Sequence, residues 1–235
     1  MKIDGDGYER RATFSPIPLP GGDAAVRHPV RQLVARWLDA GVDFDPSVLA
    51  SAGATPEDAQ LWRLQCERGL NAPKTHAAGR LFDAAAAFAG VAPARVTWEG
   101  QGPVRLEAAA RRCVESPRPE LAPFDVHDDE GLLVVDWAPL FRRPGPDVSS
   151  SEEQARWAAA FHASVAEAAL TMARHARDLD GDLPVVLSGG VFMNRVLTAF
   201  ACTRLEQEGF RVYLHRSVPP NDGGVALGQA VVAGR

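Results

Sequence analysis

The sequence is poor in the features that most directly announce a function. It has three cysteines, Cys66, Cys113 and Cys202, widely spaced and odd in number. That excludes a disulfide framework and gives no zinc-binding spacing, so buried thiols are expected. No apolar run approaches the length needed to span a bilayer, and the opening "MKIDGDGYERR" lacks the apolar core of a secretion signal. The protein is therefore expected to be cytoplasmic, with no membrane partner. Net charge is -5, which offers no general attraction to nucleic acid, so no nucleic-acid partner is expected. There is no G-x-x-x-x-G-K-[ST] loop, and the one strand-turn-helix glycine pair lacks the third glycine of the dinucleotide fingerprint. No Ser/His/Asp or Cys/His nucleophile cluster stands out, and no two histidines lie at i, i+4.

What is present is an ordinary globular composition, 46% hydrophobic and 23% charged over 235 residues, with alternating helical and extended patterns. Tyr8 to Phe14 reads as a strand, followed by a Gly/Pro-rich loop. "PVRQLVARWLDAG" puts Val30, Leu33, Val34, Trp37 and Leu38 on one face and stops at Gly41. "TPEDAQLWRLQCERG" predicts a second helix with Thr55 as N-cap and Pro56 in its first turn. An alanine-rich helix is expected over Arg80 to Ala89, with Asp83 beside its apolar face; an exposed aspartate is the plain expectation there. "RVTWEG" reads as a short strand, residues 103–114 as a helix, and "GLLVVDWAPLF" as a strand buried on both faces. A long helix capped by Ser150 or Ser151 follows, then strand 185–187, helix 195–207, strand 210–214 and helix 225–232. The alternation indicates an α/β protein. Three segments are expected: 1–28 as an N-terminal strand and loop, 29–120 as a mainly helical insert, and 121–235 as an α/β lobe.

Two glycine turns close the chain, "SGGVFMN" after the first late strand and "PPNDGG" after the second. If those strands are parallel neighbours joined by the helix between them, both turns lie at their carboxyl ends, where open α/β sheets bind ligands. Small residues at Gly189 and Gly190 leave amides accessible to a phosphate, and Asn194 and Asp222 can converge on the same crevice. The alternative is local: Asn194 as a helix cap and Asp222 as an N-cap before Gly223.

"LPGGDAA" at 19–25, "AGRLFDAAAAFAG" at 78–90, "LSGGVFMNRVL" at 187–197 and "VYLHRSVPPNDGGVALGQAVVA" at 212–233 together resemble the C-terminal part of the HypF family. These are carbamoyltransferases of nickel–iron hydrogenase maturation. The resemblance implies the second lobe of an actin/sugar kinase/Hsp70-like, ribonuclease-H-like fold with a helical insertion. It implies ATP or carbamoyl adenylate as substrate, and a HypE-like acceptor protein whose cysteine thiolate receives the carbamoyl group. By the same resemblance Gly189, Gly190 and Asn194 would contact the nucleotide, Gly79 and Asp83 would hold the ribose, and Asp222 would ligate a divalent metal (iron, zinc or magnesium). His76, Arg80 and Arg195 are nearby candidates, with His76 expected to be an ordinary loop histidine and His215 structural. Complete family members add a metal-binding histidine pair, a first lobe and adenylate-forming domains. The chain is accordingly expected to be an isolated or naturally split piece, inactive alone, whose partners include the missing N-terminal lobe or a second copy of itself. The competing expectations are a non-catalytic nucleotide-binding or interaction module of the same fold, and a small-molecule O-carbamoyltransferase.

Overall fold

A computed structural model describes residues 1–5, 7–113 and 120–234. The chain opens with β1 (Lys2–Asp4) and β2 (Gly7–Glu9), an antiparallel hairpin, then β3 (Ala12–Phe14) and β4 (Ile17–Pro18). The single strand expected over 8–14 is thus two, broken at Arg10–Arg11. There Arg11 turns away to make a two-pronged bond with Asp180, Nε at 2.7 Å and Nη2 at 2.8 Å.

Helices follow: α1 (Asp23–Arg27), α2 (Val30–Ala40), α3 (Pro46–Ser51) and α4 (Pro56–Arg68). Their ends carry the expected chemistry. Gly41 closes α2 in the left-handed region, and Thr55 and Asp58 form a reciprocal capping box on α4. Next come β5 (Lys74–Thr75), which pairs with β4, then α5 (Ala78–Phe88) and α6 (Gln101–Ala110). "RVTWEG" is a turn and not a strand. No neighbouring strand pairs with it among the described residues, and its amides find other acceptors: Val96 N–H donates to the Arg27 carbonyl and Thr97 N–H to Gln101 Oε1. Val114, expected at the end of the next helix, and the first part of the Pro-rich loop, 114–119, lie outside the described residues.

The second half begins with a hairpin, β6 (Asp125–Asp129) and β7 (Leu132–Asp136), turned at Glu130–Gly131. β7 is central, parallel to β3 and antiparallel to β6. β6 was not expected because "DVHDD" has no strand-like alternation; it forms as a solvated edge, exposed at every residue. "GLLVVDWAPLF" is strand only to Asp136, whose Oδ1 accepts from Ala138 N–H at 2.9 Å and starts α7 (Ala138–Arg142). The 30-residue α8 (Ser151–Asp180), capped by Ser150, leads to β8 (Val185–Leu187), α9 (Arg195–Gln207), β9 (Val212–Leu214) and α10 (Val225–Ala233). β8 and β9 are parallel neighbours with α9 as crossover, as expected.

The core is continuous across the molecule. Alanines 155, 158, 159 and 166 let α8 lie close against α6 and α9, while Phe82 of α5 meets Phe161 edge-on at 5.0 Å. Among the described residues no helix is long and apolar enough to cross a membrane.

Candidate functional site

The parallel register Val185–Val212, Val186–Tyr213, Leu187–Leu214 brings two turns side by side at the strands' carboxyl ends. Gly189 has φ 103° and ψ 154°, a conformation that any Cβ would oppose. Its N–H donates to the Pro220 carbonyl at 2.8 Å, which fastens "SGG" to "PPNDGG". A short 3₁₀ turn, Gly190–Met193, then enters α9. At Gly190 an added Cβ would meet only Asn221 Cβ, at 3.6 Å, an ordinary contact. Two further links cross the gap: Asn221 Nδ2 donates to Met193 Sδ at 3.2 Å, and Ser188 Oγ lies 2.9 Å from His215 Nε2.

Asp222 opens the turn Asp222–Gly224 and is exposed, but it does not cap it. Asn221 makes the cap, its Oδ1 accepting from Gly223 N–H at 3.1 Å, so the local alternative expected for Asp222 is corrected. Asn194 faces inward, only 8% exposed. Its Oδ1 accepts from Leu197 N–H at 2.9 Å, capping α9, and its Nδ2 lies 2.9 Å from Nε2 of His162. His162 is fully buried, and its Nδ1 lies 2.7 Å from the Ala158 carbonyl. Burial pushes its pKa down to about 4, so the ring is neutral at pH 7.

Gly79 sits in the first turn of α5 with open space where a Cβ would be. Asp83, one turn on, is buried and not on an exposed helix face as the plain expectation had it. Arg80 Nη1 lies 2.9 Å from its Oδ2, and Gln32 Nε2 donates to the same oxygen at 3.3 Å. Burial raises the Asp83 pKa to about 6 in spite of the Arg80 charge. The 190–193 turn touches α5; the polar contacts that the described structure gives Asp83 go to Arg80 and Gln32.

His76 is a loop histidine, its Nδ1 2.7 Å from the Phe14 carbonyl. Arg195 ties this region to α6 by its backbone, N–H to Glu107 Oε1 at 3.2 Å. The cysteines are partly buried, and burial pushes the Cys66 thiol up to about 11 and Cys202 upward as well, the opposite of an activated thiolate. Sequence reasoning missed Gln32, His162 and Asn221. Only Asn221 had a legible signal, the N-D-G turn; a histidine in mid-helix has none.

A family model described as the carbamoyltransferase, Kae1-like domain, second subdomain, matches residues 1–229. The carbamoyltransferase HypF of Rhodobacter capsulatus is 38% identical over 230 residues, covering 98% of this chain and 29% of that protein. A carbamoyltransferase HypF homolog of Cupriavidus necator is 38% identical over 225 residues, covering 93% of this chain and 56% of that one. The crystal structure of full-length HypF in the phosphate- and nucleotide-bound form superposes with a TM-score of 0.81 at 29% identity, covering 97% of this chain and 29% of that one. T. kodakarensis HypF superposes at 0.74 with 27% identity, covering 96% and 30%. The chain thus spans between 29% and 56% of the length of these relatives.

Proposed function

The chain belongs to the HypF carbamoyltransferase family, as a Kae1-like second subdomain with the α/β lobe expected of it, and from that premise we propose that it forms one wall of a carbamoyl-transfer site that binds a nucleotide. The observation that carries the reading is the fastening of the Gly189 turn to the 220–222 loop at the carboxyl ends of two parallel strands. One solved relative is described as phosphate- and nucleotide-bound, which supports a nucleotide ligand here. In this reading ATP or carbamoyl adenylate lays its phosphates on the Gly189–Gly190 turn. Gly190 has no steric need of its own to be glycine, so close approach of a ligand accounts for it. Gly79 and Asp83 lie on the ribose side, and Asp222, exposed and free of capping duty, faces the carbamoyl end. Asn194 acts from behind, holding the turn.

The chemistry asked of these residues is positioning and charge stabilisation. The Gly189 N–H is held by the Pro220 carbonyl, so the later backbone donors of the turn, from Gly190 onward, would hold the phosphate and oppose negative charge as the carbamoyl carbonyl becomes tetrahedral. A thiolate of a HypE-like acceptor attacks the carbonyl carbon, the bond from carbon to the adenylate oxygen breaks, and AMP leaves. No nucleophile of this chain is consumed.

A divalent cation does not fit this chain by itself. Asp222 is one carboxylate, and among the described residues no three His, Cys, Asp or Glu side chains come together. Any further ligands would come from the rest of a complete enzyme.

Calorimetric titration of the chain with ATP tests the reading. Binding that Gly190→Val abolishes at equal stability supports it, and binding that survives the substitution sinks it. The second reading, a module that docks a partner without binding nucleotide, draws on the exposure of α10, where Val225, Leu227, Val231 and Val232 are each at least half exposed. Absence of any ATP heat with the parent chain would favour it.

A further inference from the structure

We infer that His162 is the positioning residue of the Gly189–Asn194 turn, acting as a neutral imidazole with its proton on Nδ1. The assignment follows from donors and acceptors alone. Leu197 N–H is a donor, so the Asn194 atom 2.9 Å from it must be the carbonyl Oδ1. The other end of the same amide is then the NH₂ group, and its partner at 2.9 Å, His162 Nε2, must accept. A neutral ring whose Nε2 accepts carries its hydrogen on Nδ1, and that atom faces the Ala158 carbonyl at 2.7 Å, which can only accept. Each link excludes its alternative. The other tautomer would set two donors against each other at Nε2 and two acceptors at Nδ1.

The ring is sealed from water, with Phe82 edge-on at 5.3 Å and Phe161 at 5.9 Å. No solvent can therefore replace a lost partner, and the Asn194 amide would be left buried with an unmet donor. Asn194 is also the last residue of the turn, so the orientation of its side chain sets where the 3₁₀ segment Gly190–Met193 ends and α9 begins. Burial, which holds the ring neutral to about pH 4, keeps this arrangement intact under ordinary conditions. A side chain in the middle of α8 thereby fixes the geometry of a surface loop on the neighbouring element. The consequence for ligand affinity rests on the nucleotide reading above; the tautomer and the turn's order do not.

Nitrogen NMR of the chain labelled at histidine decides the first part. A pyrrole-type Nδ1 and a pyridine-type Nε2 at pH 7 are expected, and the reverse pattern overturns the inference. Two substitutions decide the second. Glutamine at this site can still donate to the Ala158 carbonyl and accept from Asn194, whereas leucine can do neither. His162→Gln should keep the Leu197 amide protected from hydrogen exchange and hold ATP affinity within about threefold. His162→Leu, compared at a temperature where both variants are folded, should lose at least tenfold in Leu197 protection and shift the Gly189 and Gly190 amide resonances. Equal Leu197 protection in the two variants would overturn the positioning role even if His162→Leu were less stable. Should the parent fail to bind ATP, the nucleotide reading falls while these NMR measurements still decide the role of His162.

Discussion

Helix α5 sets an arginine and an aspartate among its alanines and still buries eight residues, Leu81 to Phe88, whereas α10 has no charged side chain and buries none. Composition alone would rank them the other way. α5 is enclosed because α2 and α6 pack along it and α8 brings Phe161 and His162 onto Phe82. Among the described elements that pack appreciably against one another, α10 is matched with the short turn before it. A helix that is mostly apolar is ordinarily covered, and here no residue of α10 is buried by the described part of the chain. Burial is a property of the neighbourhood: one helix is scaffold for the core, and the other offers a surface.

The contrast can be attacked directly, and the largest effect should come from α5. Phe82→Ala removes a ring packed edge-on against Phe161 and should cost about 3–5 kcal/mol in urea unfolding. A loss below about 1 kcal/mol would mean that α5 is not the centre of the core.

The next effect is a pH dependence carried by two buried groups of opposite sign. The folded His162 pKa, about 4, lies below its ordinary 6.5. On acidification from pH 7 to 4 the unfolded ring takes up a proton that the folded one refuses, so stability falls, by about 3 kcal/mol at most. The folded Asp83 pKa, about 6, lies above its ordinary 3.8. Its contribution is fully present below pH 3.8 and is lost as pH rises through 6, so it strengthens on acidification by about the same amount. Between pH 6 and 4 the two offset each other. Asp83→Asn deletes one arm, and its stability relative to the parent should drop by about 2–3 kcal/mol from pH 6.5 to 4. Parallel curves for the two proteins would show that Asp83 titrates normally.

A smaller effect is expected where α9 begins. Asn194→Ala removes a cap and strands the acceptor of His162, which should cost about 1–2 kcal/mol in thermal unfolding. The smallest is expected on α10. Val232→Asp, at a side chain 71% exposed, should change stability by less than about 0.5 kcal/mol. A cost of 1 kcal/mol or more that grows with protein concentration would place α10 in an interface between copies.

The elements with strong punctuation were legible in advance. Pro29 and Gly41 around α2, the Thr55–Asp58 box on α4, Ser150 before α8 and the strand-turn-helix pattern from Val185 each carry their boundary chemistry within a few residues. β6 was not legible because an edge strand needs only a partner, and its five side chains are solvated. "RVTWEG" misled because β-branched residues describe a strand only where a neighbour offers a ladder. At the site, the turn and its asparagine and aspartate could be read from spacing, and so could the parallel pairing that joins them. The partners that set their environments could not: Gln32 reaches Asp83 from 51 residues away, and His162 reaches Asn194 from 32.

One pairing also bears on the order in which the molecule assembles. β8, α9 and β9 are contiguous, so their parallel pair closes only a short loop. β3 instead must find β7, joining residues 12–14 to 133–135 across nearly everything between. Loop-closure entropy and the slow formation of non-local parallel pairs both place that step late. In a refolding experiment, amide protection should therefore arise at Val185 to Leu187 before it arises at Ala12 to Phe14. Until the later step is complete, the free edge of β7 stands open to pairing with another chain, which makes the concentration during refolding the variable that governs yield.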